Sequence, residues 1–262
     1  MRRVEKEVER EVEPWGPLEY RKAKERFRGI STLYASGRCR VFRVRSTYSG
    51  EVLALKVIEG GGRGGGEARI FRAVDRLVHW EDGQFSYRDS WEEDGAEFIV
   101  MRLFIGPIDR LYGRLSLTEK LEILLQLANQ VRAMHAGGFA HLDLKPTNVF
   151  FDFKGSQLEV HLLDFGLARG PGEFSPLSGG DPLTLAPELN RSEDFEHLDL
   201  EKCDVFSLAA TFVDLFSGLL NRWTSFSCLR RVSSSFRATK PPKLFSFASR
   251  NHPPTPRTPS PP

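Results

Sequence analysis

The stretch His141-Leu142-Asp143-Leu144-Lys145-Pro146-Thr147-Asn148 decides the fold, together with Asp164-Phe165-Gly166 further along the chain. The first stretch brings a carboxylate, a cation and an amide oxygen together in one short loop. An apolar run from Val149, a polar turn at 154–156 and a second apolar run to Leu163 separate the two stretches and predict a β-hairpin. Such a hairpin returns the second stretch to the side of the first.

Three oxygen-bearing side chains of these stretches suggest phosphate chemistry. Carboxylate and amide oxygens are hard ligands, suited to Mg²⁺ bound to a phosphate. The two motifs, in this order and at this spacing, resemble the catalytic loop and the metal loop of eukaryotic protein kinases. The resemblance implies that Asp143 accepts the proton of the substrate hydroxyl and that Lys145 neutralises the transferred phosphoryl group. It also implies that Asn148 and Asp164 hold Mg²⁺.

The resemblance implies an α+β fold with two lobes. A small lobe built on an antiparallel sheet is expected at 28–104, and a C-terminally shortened helical lobe at 105–220. Residues 1–27 alternate Glu with Lys or Arg and are predicted to form a charged, solvated extension. Residues 221–262 are basic and rich in Ser and Pro, so they are predicted to form a disordered tail.

Composition favours a folded protein in a reducing compartment. The chain has 262 residues, 40% of them hydrophobic, which is enough for one large or two small cores. Its three cysteines do not suggest a disulfide framework. Asp214 interrupts the most apolar run, so we expect no membrane span and, from the first residues, no signal peptide.

Two residues upstream of the catalytic loop complete the resemblance. Lys56 lies near the end of an alternating strand pattern at 51–57, where a kinase places the Lys that binds the α- and β-phosphates of ATP. Glu67 opens a helical pattern and is expected to pair with Lys56. The alternatives are an ordinary strand-edge Lys and an exposed first-turn acid that the helix dipole favours.

The glycine-rich loop of kinases is degraded in this chain. Tyr34, Ser36 and Cys39 occupy the positions of its three glycines, and Gly37 is out of register. Side chains at these positions are expected to weaken the grip on ATP, because glycines allow backbone amides to approach phosphates. The glycine-rich stretch at 60–66 lacks the ending of a phosphate-binding loop and is predicted to be a linker.

The resemblance also places apolar residues around the adenine. Val41, Met101, Leu103 and Phe104 are expected to line the nucleotide site, with Met101 gating the pocket behind it. The backbone of 102–104 is expected to bond the edge of the base.

A helix is predicted after the capping box at 116–119. Its core-facing residues are expected to be Leu121, Leu124, Leu125, Ala128, Val131 and Met134. Asp204, in a later helix, is expected to anchor the backbone of the catalytic loop. His141 is expected to be a packed structural residue.

Further details resemble the Wee family, whose members phosphorylate cyclin-dependent kinases. They include Leu142 where most kinases have Arg, the block Asp89-Ser90-Trp91-Glu92-Glu93, and Gly180-Asp181-Pro182 before Ala186-Pro187-Glu188. The resemblance implies transfer of the γ-phosphate of ATP to a Tyr, Thr or Ser of a cyclin-dependent kinase, in the nucleus or the cytoplasm. Without the usual Arg at 142, we expect no dependence on activation-loop phosphorylation.

A second function remains open. The degraded glycine loop and the short helical lobe also fit a weak or inactive pseudokinase that acts as a binding module. The tail from 221 carries eight Lys or Arg and no acid, against a net charge of +2 for the whole chain. A solvated tail accounts for this charge, so we expect a protein partner and no nucleic acid.

Overall fold

The structure is a computed structural model that describes residues 20–60, 66–78, 86–173, 175, 179–189 and 195–217. Three predicted segments lie outside this part in whole or in large measure: residues 1–19 of the extension, 61–65 of the linker, and the tail at 221–262. The helices and strands are α1 (Arg21–Arg26), β1 (Phe27–Ser36), β2 (Cys39–Ser46), β3 (Val52–Glu59), α2 (Gly66–Leu77), β4 (Tyr87–Glu93), β5 (Ala96–Arg102), β6 (Gly106–Pro107), α3 (Leu117–Ala136), β7 (Val149–Lys154), β8 (Gln157–Leu162) and α4 (Leu200–Ser217).

Two antiparallel sheets organise these elements. The first has five strands in the order β1-β2-β3-β5-β4, and the second has three in the order β6-β7-β8. The five-stranded sheet and α2 form a small lobe, whereas α3, α4 and the second sheet form a helical lobe. The α+β kinase architecture predicted from the sequence is confirmed.

The central strand β3 is buried on both faces of its sheet. Leu53, Leu55 and Val57 point into one apolar cluster, whereas Ala54 points into the other, which includes α2 and α3. Side chains alternate along a strand, so Lys56 lies on the same face as Ala54. This alternation directs the Lys56 side chain toward α2.

Helix α1 covers the opposite face of the five-stranded sheet. Tyr20, Ala23 and Phe27 are buried there, and the Tyr20 ring meets Phe98 edge-on with 4.7 Å between centroids. The predicted solvated extension at 1–27 is therefore wrong for residues 20–27, which belong to the small lobe. These three apolar side chains are buried although charged residues surround them in the sequence.

Helix α3 begins at the predicted capping box, because Ser116 accepts from the Glu119 amide and Glu119 reaches back to the Ser116 amide. Its core-facing side differs from the prediction, since Leu121 and Leu125 are exposed. The buried residues are Ile123, Leu127, Gln130, Val131 and Met134. The helix is therefore rotated relative to the row predicted from leucine spacing.

Two glutamines explain this rotation. Gln126 donates to Leu158 O at 2.9 Å and accepts from Val160 N at 2.9 Å. Gln130 donates to Val160 O at 2.7 Å and accepts from Leu162 N at 2.9 Å. Their amides therefore pair with the outer edge of β8, and buried backbone groups require such partners.

Replacing Gln130 with Leu is expected to lower the free energy of unfolding by about 1–3 kcal/mol, because it leaves a buried N–H and a buried C=O on β8 without partners. Urea denaturation followed by circular dichroism measures this loss. Asn129→Leu is the matched control, since it removes the same kind of amide from an exposed position of the same helix. Equal losses in the two variants would contradict the proposed role of the Gln130 amide.

Helix α4 follows the loop between Gly166 and Pro187, which corresponds to the activation loop of the kinase resemblance, and it packs against α3. Cys203, Asp204, Ser207 and Leu215 are among its buried residues. In the described part of the chain, no helix combines the length and the apolar character needed to cross a bilayer.

Candidate active site

The loop that carries Asp143 is fixed from beneath by one carboxylate. Asp204 is fully buried and accepts from the amides of His141 and Leu142 at 2.7 and 2.8 Å. The backbone of Leu142 has φ of 63°, a left-handed conformation that is unfavourable for a branched residue. The two bonds hold this turn in place, and the predicted anchoring role of Asp204 is confirmed.

His141 is a buried, neutral residue within the same loop. Burial lowers the pKa of its imidazole. Its Nδ1 lies 3.3 Å from the Asp143 amide and accepts from it, whereas its Nε2 lies 3.2 Å from Leu163 O and donates to it. Both ring nitrogens are therefore engaged with the backbone, as expected of a structural histidine.

The two carboxylate oxygens of Asp143 differ in their hydrogen bonding within the described part of the chain. Its Oδ2 accepts from Lys145 Nζ at 2.7 Å and from Asn148 Nδ2 at 2.8 Å. Its Oδ1 is buried and has no hydrogen-bond partner among the described residues. The side chain is thus held in one orientation, with one strong acceptor left for a further donor.

Lys56 joins two carboxylates from different parts of the chain. Its Nζ lies 2.6 Å from Glu67 Oε1 and 2.7 Å from Asp164 Oδ1. Burial alone would lower the pKa of Lys56, but the two carboxylates outweigh burial and raise it. Burial likewise opposes the charge of Asp164, yet Lys56 lowers the pKa of Asp164. The predicted ion pair between Lys56 and Glu67 is present, with both side chains nearly buried.

The hairpin β7–β8 brings Asp164 next to the loop of Asp143, as its sequence pattern predicts. Leu163 N donates to Asn148 O at 2.9 Å, so the residue before Asp164 is bonded to the predicted metal ligand Asn148. Asp164 has φ of 67°, a left-handed conformation that Asp tolerates better than most residues. This turn directs its carboxylate to Lys56.

A stack of rings connects α2 to this loop. Phe165 packs against Phe71 of α2 with 5.0 Å between centroids and against His141 with 5.2 Å. Tyr87 meets the other side of Phe71 at 5.7 Å. The helical spacing of Ile70, Phe71 and Val74 predicts an apolar side of α2, but it does not predict the contacts of Phe71 with Tyr87 and Phe165. The available signal was the position of Phe71, one helical turn after Glu67 and on the same side of α2.

The predicted nucleotide-contacting residues lie along β2, β5 and the link to the helical lobe. Val41 faces Lys56 across β2 and β3, and Met101 is buried opposite Ala54. Leu103 is half-buried, whereas Phe104 is buried and packs on the ring of His161 with 4.5 Å between centroids. Phe104 is therefore part of the core, so its backbone rather than its ring is available to a ligand.

The backbone groups of 102–104, which are predicted to bond the edge of the base, include amides that are engaged and amides that are not. The amide of Arg102 donates to Ser86 O at 2.8 Å, and the amide of Ile105 donates to Phe151 O at 3.1 Å. The amides of Leu103 and Phe104 have no partner within the described part of the chain. If this backbone bonds the base as predicted, Leu103 and Phe104 are the residues whose amides can donate to it.

The turn between β1 and β2 is tight. Ser36 pairs with Cys39, which leaves only Gly37 and Arg38 in the turn. Gly37 has φ of 51°, which a two-residue hairpin turn commonly requires. The backbone conformation of this turn therefore accounts for a glycine at position 37. Tyr34 and Ser36 are exposed side chains of β1, and Cys39 is half-buried.

The residues at the predicted metal site fit Mg²⁺. Asp164 supplies a carboxylate and Asn148 an amide oxygen, both hard donors. Among the described residues, no group of three or more His, Cys, Asp or Glu side chains forms a metal cage. A site with two protein ligands suits Mg²⁺, because this ion keeps several waters and also binds phosphate oxygens.

Comparison with known proteins identifies the class. Residues 36–237 match the protein kinase domain family, which covers most of the chain. The chain belongs to the protein kinase family. This match extends past residue 221, where the sequence was predicted to become a tail.

Several curated relatives are Wee kinases. The chain is 34% identical to the Wee1-like protein kinase of Arabidopsis thaliana over 136 residues, which are 50% of this chain and 26% of that protein. It is 28% identical to the mitosis inhibitor protein kinase wee1 of Schizosaccharomyces pombe over 207 residues, or 74% of this chain and 23% of that protein. Human serine/threonine-protein kinase H1 is also 28% identical, over 80% of this chain and 51% of that protein.

These relatives support the resemblance to the Wee family within the protein kinases. The chain spans about a quarter of the length of the two Wee relatives and about half of the human kinase.

Proposed function

We propose that this protein transfers the γ-phosphate of ATP to a protein hydroxyl in a Mg²⁺-dependent reaction. The observation that carries the proposal is the Oδ1 of Asp143, which has no partner among the described residues, whereas Lys145 and Asn148 donate to Oδ2. A substrate hydroxyl at this oxygen donates its proton to Asp143 as its own oxygen bonds to phosphorus and the bond to ADP breaks. Catalysis of this kind depends mainly on positioning and charge.

The remaining site residues hold charge around the phosphates. Lys56 is positioned by Glu67 to bind the α- and β-phosphates, and Lys145 neutralises the transferred group. Asn148 and Asp164 supply the oxygens for Mg²⁺, which neutralises phosphate charge when it is bound. Val41, Met101 and the backbone of Leu103 and Phe104 accommodate the adenine.

Two observations support activity without phosphorylation of the activation loop. Leu142 stands where most kinases have the Arg that binds such a phosphate. Glu173 already supplies a negative charge in the activation loop: it pairs with Arg69 of α2, and its other oxygen accepts from Gly170 N at 2.9 Å. Arg69 lies two residues after Glu67, so this pair links the activation loop to the helix that carries Glu67.

We further propose that the substrate is a cyclin-dependent kinase, modified on Tyr, Thr or Ser, and that the protein acts in the nucleus or cytoplasm in cell-cycle control. The support is the similarity to Wee kinases. The catalytic loop resembles that of Ser/Thr kinases, whereas the family also modifies Tyr, so both residue classes enter the test.

A binding module without catalysis is the second candidate. It is favoured by Tyr34, Ser36 and Cys39 in place of the loop glycines and by the tight turn at Gly37. Such a protein could still bind ATP, because the Lys56–Glu67 pair is intact.

The test is incubation of the purified protein with γ-labelled ATP, Mg²⁺ and a cyclin-dependent kinase made inactive by mutation. We expect labelled substrate, loss of labelling in excess EDTA, and labelled phosphotyrosine, phosphothreonine or phosphoserine after partial acid hydrolysis. ATP binding without transfer to this substrate or to a generic acceptor protein would favour the binding module. Transfer to the generic acceptor alone would retain the kinase and remove the proposed substrate.

A further inference from the structure

The turn between β2 and β3 lies outside the candidate active site and presents a tyrosine to solvent. Tyr48 is 83% exposed, the largest value among the exposed large hydrophobic side chains of the described residues. Gly50 N donates to Ser46 O at 3.0 Å and closes the turn. Thr47 N donates to Arg26 O at 2.9 Å, so the turn lies against the C-terminal end of α1. Nothing in the proposed phosphoryl transfer uses this turn.

The hydroxyl of Tyr48 differs from the other hydroxyls of the turn. Ser46 Oγ accepts from the amides of Tyr48 and Ser49 at 3.3 and 3.2 Å. Thr47 Oγ1 donates to carbonyl oxygens at the end of α1 at 3.0 Å. Ser49 Oγ accepts from Glu51 N at 3.2 Å. These three hydroxyls are bonded to backbone groups, whereas the Tyr48 hydroxyl has no hydrogen bond within the described part of the chain.

The other tyrosines are less suited to accept a phosphoryl group. Tyr20 is buried, and the hydroxyls of Tyr87 and Tyr112 bond to neighbouring side chains. Tyr34 is 56% exposed, but it lies within β1 and is paired with Val41. An acceptor hydroxyl has to reach the catalytic loop of another molecule, and the tip of a turn is more accessible than a paired strand. Tyr48 therefore combines exposure with access.

Two arginines lie directly opposite each other next to this turn. Arg28 of β1 is the cross-strand partner of Arg45 of β2, and both side chains are exposed. Like charges at such positions repel each other. Arg28 Nη1 donates to Lys24 O at 3.3 Å, and Arg45 Nη1 donates to Gly50 O at 3.2 Å. A guanidinium has five N–H donors, so these bonds leave donors for an anion.

A concavity of about 460 Å³ lies beside the same arginine pair. Its lining includes Arg21, Lys24, Glu25 and Arg28. Thr47, the neighbour of Tyr48, donates to Glu25 O, which places the turn at this concavity. The two nearby acids already have cationic partners, because Glu25 pairs with Arg21 at 2.8 Å and Glu51 lies 3.7 Å from Arg88. The surroundings of the turn therefore favour a negatively charged group.

We propose that Tyr48 is a phosphorylation site of this protein and that Arg28 and Arg45 bind its phosphate. The proposal rests on the proposed function, because a second copy of the chain makes the transfer. The Tyr48 oxygen bonds to the γ-phosphorus of ATP, the bond from that phosphorus to ADP breaks, and the tyrosine proton passes to Asp143 of the second copy.

The phosphate matches the chemistry of the two arginines. Phosphotyrosine carries a charge of about −1.5 to −2 and three strong acceptor oxygens. Guanidinium groups bind phosphate through two parallel N–H bonds, which are stronger than neutral hydrogen bonds. The phosphate also relieves the repulsion between Arg28 and Arg45. Because Arg28 is bonded to α1 and Tyr48 belongs to the turn, phosphorylation ties the turn to α1 and stabilises this side of the small lobe.

The first part of the test locates the phosphate. The original protein is incubated with Mg²⁺, γ-labelled ATP and a larger, tagged Asp143→Asn chain as the acceptor. We expect label on the tagged chain at Tyr48, its loss when that chain also carries Tyr48→Phe, and its retention with Tyr34→Phe instead. Label on a generic acceptor protein without label at Tyr48 overturns the proposal. Absence of label on every acceptor contradicts the proposed function and self-phosphorylation, and the second part then decides whether the phosphate site exists.

The second part does not depend on kinase activity. Phosphotyrosine is incorporated at position 48 of the full chain during synthesis, and hydrogen–deuterium exchange of the amides of residues 21–28 is measured. We expect exchange about tenfold slower than with Tyr48, equivalent to about 1.4 kcal/mol. The effect is expected to vanish in Arg28→Gln/Arg45→Gln, whose exposed side chains can be replaced without disturbing the core.

Two controls separate the phosphate site from a general effect of charge. Arg114→Gln/Arg132→Gln removes two exposed arginines of the helical lobe and is expected to keep the slower exchange. Phosphotyrosine at position 34 is expected to leave residues 21–28 unchanged. No slowing with phosphotyrosine at position 48, or slowing that persists in Arg28→Gln/Arg45→Gln, overturns the phosphate site.

Discussion

Replacing Asp143 with Asn is expected to reduce phosphoryl transfer by about 10²–10⁴-fold, the usual contribution of a positioned base. The Asn side chain has the same shape but does not accept the proton of the substrate hydroxyl. Oδ1 of Asp143 has no partner among the described residues, so the substitution breaks no protein contact at that oxygen. Initial rates with saturating ATP and substrate measure the effect on kcat.

The control is Asp94→Asn, the same chemical change in the turn between β4 and β5. Asp94 is exposed and has φ of 51°, a conformation that Asn also tolerates. Transfer by this variant should equal that of the original protein. Retention of full activity by Asp143→Asn, with Asp94→Asn also active, would remove Asp143 as the base and with it the proposed mechanism.

Replacing Lys56 with Met is expected to lower the free energy of unfolding by about 3–5 kcal/mol at pH 7, because it leaves the buried carboxylate of Glu67 without its cation. Lys56 and Glu67 are 10% and 9% exposed, so solvent screens their pair only slightly. Asp164 is 45% exposed and contributes less. Urea denaturation measures the loss, and transfer activity should fall as well.

The loss should depend on pH in a defined direction. Burial raises the pKa of Glu67, and Lys56 opposes this rise in the original protein. Without Lys56, the folded-state pKa of Glu67 lies further above the value of about 4.3 in the unfolded chain. A raised carboxyl pKa gives stability below the unfolded value that is lost as pH rises through the folded value. The deficit of Lys56→Met should therefore shrink from pH 7 toward pH 4.5.

The original protein should show a weaker trend of the same sign from this cluster, because Lys56 limits the rise in the pKa of Glu67. The raised pKa of Lys56 and the lowered pKa of Asp164 keep both groups charged across this range. The double variant Lys56→Met/Glu67→Gln is the matched control, because a neutral amide replaces the buried carboxylate of Glu67. It should be more stable than Lys56→Met and insensitive to pH between 4.5 and 7. A deficit that is the same at both pH values would show that Glu67 is not the source of the loss.

Sequence patterns predicted the structure best at the catalytic motifs, where the residue types and their order are characteristic. The two apolar runs and the polar turn between Asn148 and Asp164 predicted a hairpin that returns Asp164 to the catalytic loop, and the structure has that hairpin. The ion pair between Lys56 and Glu67 followed from the resemblance. Both features join residues that lie close together in the chain, so a local sequence pattern is enough to predict them.

Patterns were least informative where polar side chains take part in packing. The leucine spacing of α3 predicted the wrong side, because Gln126 and Gln130 bond to β8. Charges around Tyr20 and Ala23 concealed a docked helix. The ring stack through Phe71 joins three separate segments, and no single stretch of sequence shows it. Such contacts depend on how distant elements meet.

The two glutamines of α3 have a consequence for self-association. An uncovered strand edge can pair with a strand of another molecule, which promotes aggregation. Gln126 and Gln130 occupy the backbone groups of β8 that such a strand would need. At the other edge of the same sheet, β6 is only two residues long. Neither edge of the sheet beside the catalytic loop therefore offers a free strand for pairing with another molecule, which protects the protein from aggregation through this sheet.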